Sequence, residues 1–117
     1  MRDRGPWYTY ILGSLSGTFY VGFTGHLHQR LGEHKEGLRG GFTKKYGVDR
    51  LLYYESFDDP NLGIAREKQL KRWTRAKKIA LIEKANPHWK DLSREWWEDV
   101  LRRRAKWDAV TAKKKTK

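Results

Sequence analysis

Two short apolar runs on either side of a Gly/Ser loop constrain the fold most. They form the stretch WYTYILGSLSGTFYVGFT, residues 7–24. Residues 7–12 and 18–24 are rich in the aromatic and β-branched side chains that favour strands, and residues 13–17 have the composition of a hairpin loop. The sequence therefore predicts a β-hairpin near the start of the chain.

Each predicted strand carries a tyrosine, Tyr10 in the first and Tyr20 in the second. Pairing Leu12 with Thr18 places the two tyrosines opposite each other on one face, with Cβ atoms about 4.5–5.5 Å apart. Two interpretations stay open at this point. The tyrosines are core aromatics, which is the commoner role, or they are an active-site pair.

Helical and strand-like segments alternate along the remaining chain. We predict a helix over 27–36, a loop over 38–49, a strand over 50–57, helices over 61–73 and 75–85, and a last helix after Ser93. Three strands with short helices between and after them indicate a small α/β (α+β) domain whose sheet is at least partly antiparallel. We place this domain at residues 1–92 and assign residues 93–117 to a C-terminal helix and basic tail.

The chain is strongly basic, with 26 Lys and Arg against 14 Asp and Glu and a formal net charge of +12. Such an excess is typical of proteins that bind a polyanion, most often nucleic acid. The absence of cysteine excludes disulfides and thiolate metal sites. Because no apolar run approaches membrane-spanning length, we expect a soluble, cytoplasmic protein that does not bind a membrane.

Glu67 occupies an unusual position in the predicted helix over 61–73. It falls between Ile64 and Leu70, within the apolar stripe of that helix. A half-buried carboxylate is unfavourable unless it is paired or binds a metal ion. One interpretation is an ion pair with Lys71, four residues on. The other is a ligand of Mg²⁺, for which a single carboxylate suffices because the ion keeps most of its waters.

Arg30 and His34 are spaced i, i+4 on the first predicted helix, so their side chains point the same way. They are either part of a solvated helix face or functional groups. Together with Tyr10, Tyr20 and Glu67 they form a set of two phenols, a guanidinium, an imidazole and a carboxylate. Phosphodiester cleavage needs groups of these kinds: a base for water, a cation for the phosphate, and a metal or acid for the leaving oxygen.

Several of these motifs occur together in one known family. YTY at 8–10, YVG at 20–22, Arg30 with His34, and a helical glutamate within AREKQLK at 65–71 have the spacing of the GIY-YIG nuclease motif. The chain resembles the small stand-alone GIY-YIG proteins over nearly all of its first 92 residues. It departs from the family pattern at Tyr8, because the first motif begins with tyrosine and not with glycine.

The resemblance implies a three-stranded antiparallel sheet flanked by helices, with the active site on one face. It implies that Tyr20 acts as or helps the general base, while Tyr10 positions water or metal. Arg30 would stabilise the phosphate in the transition state, and His34 would assist proton transfer or bind phosphate. Glu67 would hold one divalent ion, Mg²⁺ or Mn²⁺.

Many family members also use a late asparagine, for which Asn86 is a candidate. Because Pro87 follows it, we favour a role for Asn86 as a helix stop. Basic residues around Glu67, and two lysines in the preceding loop, form a predicted phosphate-binding surface. These residues are Lys44, Lys45, Arg66, Lys68, Lys71, Arg72, Arg75, Lys77 and Lys78. Four aromatics could stack on unpaired bases or belong to the core: Phe42, Tyr46, Trp73 and Trp89.

The sequence thus predicts a divalent-metal-dependent endonuclease that cleaves DNA, branched or single-stranded, with low sequence specificity. DNA is favoured over RNA as the nucleic-acid partner, and the question of a protein partner stays open. The main alternative is a non-catalytic nucleic-acid-binding module on the same scaffold. A third is an interaction protein that docks through its tail, residues 101–117, which carries eight Lys and Arg against one Asp.

Overall fold

A computed structural model of the protein describes residues 6–35, 45–94 and 102. The described elements, in chain order, are β1 (Trp7–Gly13), β2 (Phe19–Thr24), α1 (Leu27–Lys35), β3 (Arg50–Phe57), α2 (Pro60–Arg72) and α3 (Arg75–Ala85). The strands form one sheet in the order β2-β1-β3, with β1 antiparallel to both neighbours. The predicted α+β fold with a three-stranded antiparallel sheet is confirmed.

The predicted pairing of the hairpin strands is wrong by two residues. Leu12 pairs with Tyr20, not with Thr18, and Tyr10 lies opposite Gly22. The loop starts one residue later than predicted and ends one residue later, at Thr18, because Ser14 closes it by donating its backbone N–H to the Thr18 carbonyl at 3.0 Å. Since side chains alternate with a period of two, a shift of two leaves both tyrosines on the same face.

The sheet has a helix layer on each face and therefore two apolar clusters. On one face, Leu27 and Leu31 of α1 pack against Tyr10 and Leu12. The opposite face is covered by α2 and α3, and its cluster contains Ile11, Val21, Leu52, Leu70 and Ile82. Alternation along β1 sends Tyr10 to the first face and Ile11 to the second.

The helix starts of α2 and α3 follow the expected capping chemistry. The Asp59 carboxylate accepts the Asn61 N–H at 2.9 Å, with Pro60 at the first helical position. Thr74 caps α3 by accepting the Lys77 N–H at 3.2 Å. The predicted bounds of the 75–85 helix are confirmed.

Asn86 ends α3 and ties it to the sheet. Its amide nitrogen donates to the carbonyl oxygens of Leu52, at 3.1 Å, and Lys90, at 2.8 Å, and its side-chain oxygen accepts the Lys90 N–H at 3.0 Å. A register shift between Ile11 and Leu12 leaves Leu52 as an extra residue in β3, whose carbonyl then meets Asn86. The predicted role of this asparagine as a helix stop is confirmed.

Several predicted features lie outside the described residues. They are the loop as far as residue 44, including Phe42 and Lys44, and most of the C-terminal helix and tail over 93–117. Within the described residues, no helix has the length and hydrophobicity required to cross a membrane.

Candidate active site

Tyr10, Tyr20 and His34 form one aromatic cluster on the α1 face of the sheet. The Tyr10 hydroxyl and His34 Nε2 share a hydrogen bond of 3.4 Å. The ring centroids of Tyr20 and His34 are 5.4 Å apart, and those of Tyr10 and Tyr20 are 6.4 Å apart. Three of the five predicted catalytic and metal-binding residues therefore contact one another.

The cluster is buried to different depths. Tyr10 has no exposed surface and His34 is 4% exposed, whereas Tyr20 is half-buried. A fully buried hydroxyl cannot touch a phosphate without rearrangement, so Tyr20 is the phenol that can meet a substrate. The Tyr10 and His34 rings pack against the Tyr20 ring.

The placement of His34 follows from the spacing of α1. Leu27, Leu31 and His34 are at i, i+4 and i+7, and all are 5% exposed or less. His34 thus continues the apolar stripe, and it is not part of a solvated helix face. This spacing was visible in the sequence.

Gly22 is a packing residue of the candidate site that the sequence interpretation did not single out. A Cβ built on this glycine would lie 2.4 Å from both Cζ and the hydroxyl oxygen of Tyr10. The Tyr10 ring therefore lies over β2 at a position that has no side chain. Any larger residue at position 22 would displace the Tyr10 ring, and with it the hydroxyl that meets His34. The glycine of the YVG motif is the signal that could have indicated this contact.

Arg30 lies one turn before His34 on α1. Its side chain is 27% exposed, and its Nε is 3.5 Å from the Glu33 carboxylate. An ion pair of this length at the surface contributes little to stability. The guanidinium can therefore give up its contact with Glu33 and bind a phosphate. Arg30 is therefore a cation one helical turn from His34.

Glu67 lies on α2, the helix that covers the opposite face of the sheet. It is located between Gly63 and Leu70 on the sheet-facing side, and its side chain is 20% exposed. Its carboxylate forms an ion pair with Lys71 Nζ at 3.1 Å. This pair is one of the two interpretations of Glu67 that the sequence left open. In the described part of the chain, no three His, Cys, Asp or Glu side chains converge as a metal-binding group. Glu67 therefore lies outside the tyrosine cluster, and it belongs to no preformed metal-binding group among the described residues.

Arg66 of the predicted phosphate-binding surface is engaged inside the molecule. Its Nη2 donates to Glu55 at 2.9 Å, its Nη1 donates to Gln69 at 2.6 Å, and the guanidinium lies 5.1 Å from the Trp73 ring. This pairing with Glu55, with burial as an opposing effect, raises the pKa of Arg66 further. Arg66 links α2 to β3, and each of its three nitrogens donates a hydrogen bond within the molecule.

Tyr53 completes this group by donating a short hydrogen bond to the Glu55 carboxylate. Burial, the hydrogen bond and the charge of Glu55 together raise the pKa of Tyr53 to about 12, against an opposing effect of Arg66. The phenol of Tyr53 is therefore a structural donor and not a base.

Most remaining cations of the predicted surface are exposed and lie along α2 and α3. The exposed ones are Lys45, Lys68, Lys71, Arg72, Arg75 and Lys77, while Lys78 is half-buried. Lys77 Nζ lies 5.8 Å from the Trp73 ring, so Trp73 is flanked by two cations. Phosphate binding by these residues stays a prediction.

A family model described as the GIY-YIG catalytic domain matches residues 6–80. The chain belongs to the GIY-YIG family. The matched segment contains the tyrosine cluster, Arg30 and Glu67, and it confirms the resemblance that the motifs indicated. Proteins of this family are generally endonucleases, which supports a nuclease-type function and a nucleic-acid substrate.

Several UPF0213 proteins match most of this domain. A UPF0213 protein of Syntrophus aciditrophicus is 38% identical over 81 residues, covering 68% of this chain and 92% of the relative. One of Pediococcus pentosaceus is 35% identical over 77 residues, covering 66% and 81%. Among solved structures, the solution NMR structure of a UPF0213 protein from Bacillus halodurans is 26% identical. It matches with a TM-score of 0.49 and covers 73% of this chain and 90% of that chain.

Proposed function

We propose that this GIY-YIG protein is a divalent-metal-dependent endonuclease that hydrolyses phosphodiester bonds in DNA with little sequence specificity. The observation that carries the proposal is the half-buried Tyr20 ring packed against the buried Tyr10–His34 pair, 5.4 Å from the His34 ring. The family match supports the chemistry, and the net charge of +12 supports a polyanionic substrate.

Tyr20 is the group that takes a proton from the attacking water. A phenol is an effective base only after it has lost its own proton, and a nearby cation favours that loss. Arg30 is a cation on the neighbouring helix, one turn from His34, and the His34 imidazole is the group that relays the proton. Tyr10 holds His34 through its hydroxyl, so it acts as a positioning residue.

Arg30 has a second role, at the phosphate. Hydrolysis places additional negative charge on the phosphoryl oxygens, and a guanidinium is suited to stabilise it through paired N–H donors. The weak pair with Glu33 leaves this group free to turn toward the substrate.

Glu67 is the candidate ligand for a divalent ion. A single half-buried carboxylate fits Mg²⁺, which uses one or two carboxylates and completes its shell with water and substrate phosphate oxygens. Because α2 and the tyrosine cluster lie on opposite faces of the sheet, an ion on Glu67 would act together with Tyr20 only on a substrate that passes around the sheet edge. There it would polarise the phosphate and help the leaving oxygen depart. The ion pair of Glu67 with Lys71 would open when the ion binds.

A non-catalytic nucleic-acid-binding module explains the cluster less well. A buried hydroxyl and a buried imidazole are costly in an apolar layer unless they are hydrogen-bonded to each other. Binding of phosphates needs exposed cations and not this arrangement. The cluster therefore favours an enzyme.

The test incubates the purified protein with end-labelled single-stranded, duplex and forked DNA in Mg²⁺, Mn²⁺ or EDTA. We expect cleavage with either metal and none with EDTA, and Glu67→Gln should abolish it. Asp58→Asn, which removes an exposed carboxylate elsewhere, is the matched control and should cut normally. Salt-sensitive binding without cleavage in all three proteins would support the binding module. An unchanged Mg²⁺ titration in Glu67→Gln would remove the metal role of this residue.

A further inference from the structure

A cationic groove crosses the end of the sheet that carries the hairpin loop. We define it by Arg50, Arg75, Lys90 and Arg94, which line two adjoining clefts that share Arg50 and Trp89. The larger cleft has a volume of about 840 Å³, within the usual range of ligand-binding clefts of about 300–1,000 Å³. Of these four cations, only Arg75 belongs to the surface predicted from the sequence.

Among the lining residues that the structure describes, positive charges outnumber negative ones. Asp91 is the acidic residue among them. The Asp91 Oδ1 atom accepts the Leu51 N–H at 3.1 Å and the Ser93 hydroxyl at 2.6 Å, so this carboxylate is used in holding the loop. Within residues 45–94, this lining of four cations and one engaged carboxylate suits a phosphate backbone.

Trp89 forms an aromatic wall of the groove and is held in an unfavourable backbone conformation. Its φ is +55°, in the left-handed region that costs a bulky residue about 1–2 kcal/mol. The Asn86 side chain fixes this turn through both the N–H and the carbonyl of Lys90, and the Trp89 indole donates to Glu83 at 3.2 Å. Backbone strain maintained by such contacts is typical of functional sites.

Arg50 and Arg75 are oriented by contacts with Trp89 and Phe19. Trp89 stacks on Phe19 with ring centroids 6.1 Å apart. The Arg75 guanidinium lies 4.6 Å from the Phe19 ring, and Arg50 donates one N–H to the Trp89 carbonyl at 3.0 Å. Each arginine has five N–H donors, so these contacts orient the guanidinium and leave donors for a ligand.

Leu92 joins the groove to the candidate active site. It lines the larger cleft and also packs against the apolar cluster that contains Tyr10 and Tyr20. A strand that lies along the groove therefore extends toward the face of the sheet that carries the tyrosines.

We propose that this groove binds a single-stranded segment of DNA, with its phosphates on the four cations and a base against Trp89. Aromatic stacking and backbone contacts together are the means by which proteins bind single strands without reading sequence. The choice of DNA rests on the proposed endonuclease function, whereas binding in the groove does not need catalysis.

The first test measures binding of fluorescein-labelled oligo(dT) in EDTA at several salt concentrations. Lys90→Gln is compared with Lys84→Gln, which removes an exposed lysine outside the groove. Loss of one phosphate contact should reduce the slope of log K against log salt by about 0.7 for Lys90→Gln and about twice that for Lys90→Gln/Arg94→Gln. Lys84→Gln should keep the wild-type slope.

The second test uses the unaltered protein, so folding of a variant is not at issue. Oligo(dT) carrying 5-iododeoxyuridine is photo-crosslinked, and tryptic peptides are analysed by mass spectrometry. We expect the crosslink in the peptide of residues 85–90, which contains Trp89.

Equal slopes for Lys90→Gln and Lys84→Gln, with crosslinks elsewhere, would overturn the groove proposal even if the protein cleaves DNA. Tighter binding of oligo(rU) than of oligo(dT) would overturn the assignment to DNA. Groove-dependent binding without any cleavage would support the groove and contradict the endonuclease proposal, so the two failures are distinguishable.

Discussion

The two faces of the sheet use the same strands for different purposes. On the α1 face, β1 and β2 present Tyr10 and Tyr20 to His34, so polar atoms are buried together in a hydrogen-bonded cluster. On the opposite face the same strands present Ile11 and Val21 to a wholly apolar cluster. Alternation along a strand allows one residue to serve chemistry and the next to serve stability.

Because of this difference, we expect separate substitutions to impair activity and stability independently. The opposite face gains most of its free energy from the burial of apolar side chains, beside a buried hydrogen bond from the Thr9 hydroxyl to the Gly63 carbonyl at 2.7 Å. The tyrosine face depends on the positions of a few polar atoms, and their loss should change activity more than folding. Three predictions test this separation, in order of decreasing effect.

Leu70→Ala should destabilise the protein by about 2–5 kcal/mol, because Leu70 is fully buried in the apolar cluster and its truncation leaves a cavity. Urea denaturation followed by circular dichroism measures the change in the free energy of unfolding. Leu62→Ala on the same helix is the matched control. Leu62 is 59% exposed, so its loss should change stability by at most about 0.5 kcal/mol. Equal losses in both variants would contradict the assigned core.

Arg30→Ala should reduce the rate of cleavage about 10²–10³-fold, or about 3–4 kcal/mol, the usual effect of losing one donor to the transition state. Steady-state kinetics over a range of DNA concentrations measures both kcat and KM. Glu33→Gln removes the ion-pair partner of Arg30 and keeps the guanidinium, so this variant should cut at nearly the wild-type rate. A rise in KM with unchanged kcat would show that Arg30 only binds DNA.

The smallest effect concerns the pH dependence of stability. Burial and Glu55 raise the pKa of Tyr53 to about 12, above the value near 10 of an unfolded chain, so folding favours the neutral phenol. This stabilisation is present below pH 10 and is lost as the pH rises from 10 to 12. Because the group is partly solvated, we expect a loss of below about 1 kcal/mol.

Urea midpoints at pH 9 and pH 11 test this prediction for the wild type and Tyr53→Phe. The wild type should lose more stability over this interval than the variant, which has no phenol to ionise. An identical loss in both proteins would show that Tyr53 does not contribute.

The elements of the fold could be predicted because their signals are local. Asp59 and Pro60 mark the start of α2, and Arg50–Phe57 is the predicted third strand. The pairing of β1 with β2 could not be predicted, because it depends on how the loop closes. The hydrogen bonds of Ser14 move the loop by one residue, and that changes the partner of Tyr10 from Tyr20 to Gly22.

The candidate site was predicted in part. Motif spacing identified Tyr10, Tyr20 and His34, which contact one another. It did not separate free cations from paired ones, since the partner of Arg66 is Glu55, in a strand eleven residues earlier. The cationic groove was missed for a similar reason. Its residues come from the start of β3, the start of α3 and the loop beyond Asn86, and only the fold brings these segments together.

Cleavage of labelled DNA by Tyr20→Phe, compared with Tyr54→Phe, tests the central proposal most directly. Tyr54 lies opposite Tyr10 on the neighbouring strand and is 39% exposed, so this control also removes one hydroxyl from the same face. We predict that Tyr20→Phe reduces the rate about 10²–10⁴-fold, the range for loss of a general base, while Tyr54→Phe cuts normally and both variants keep wild-type stability. Equal cleavage by Tyr20→Phe and the wild type would contradict an active site built on Tyr20.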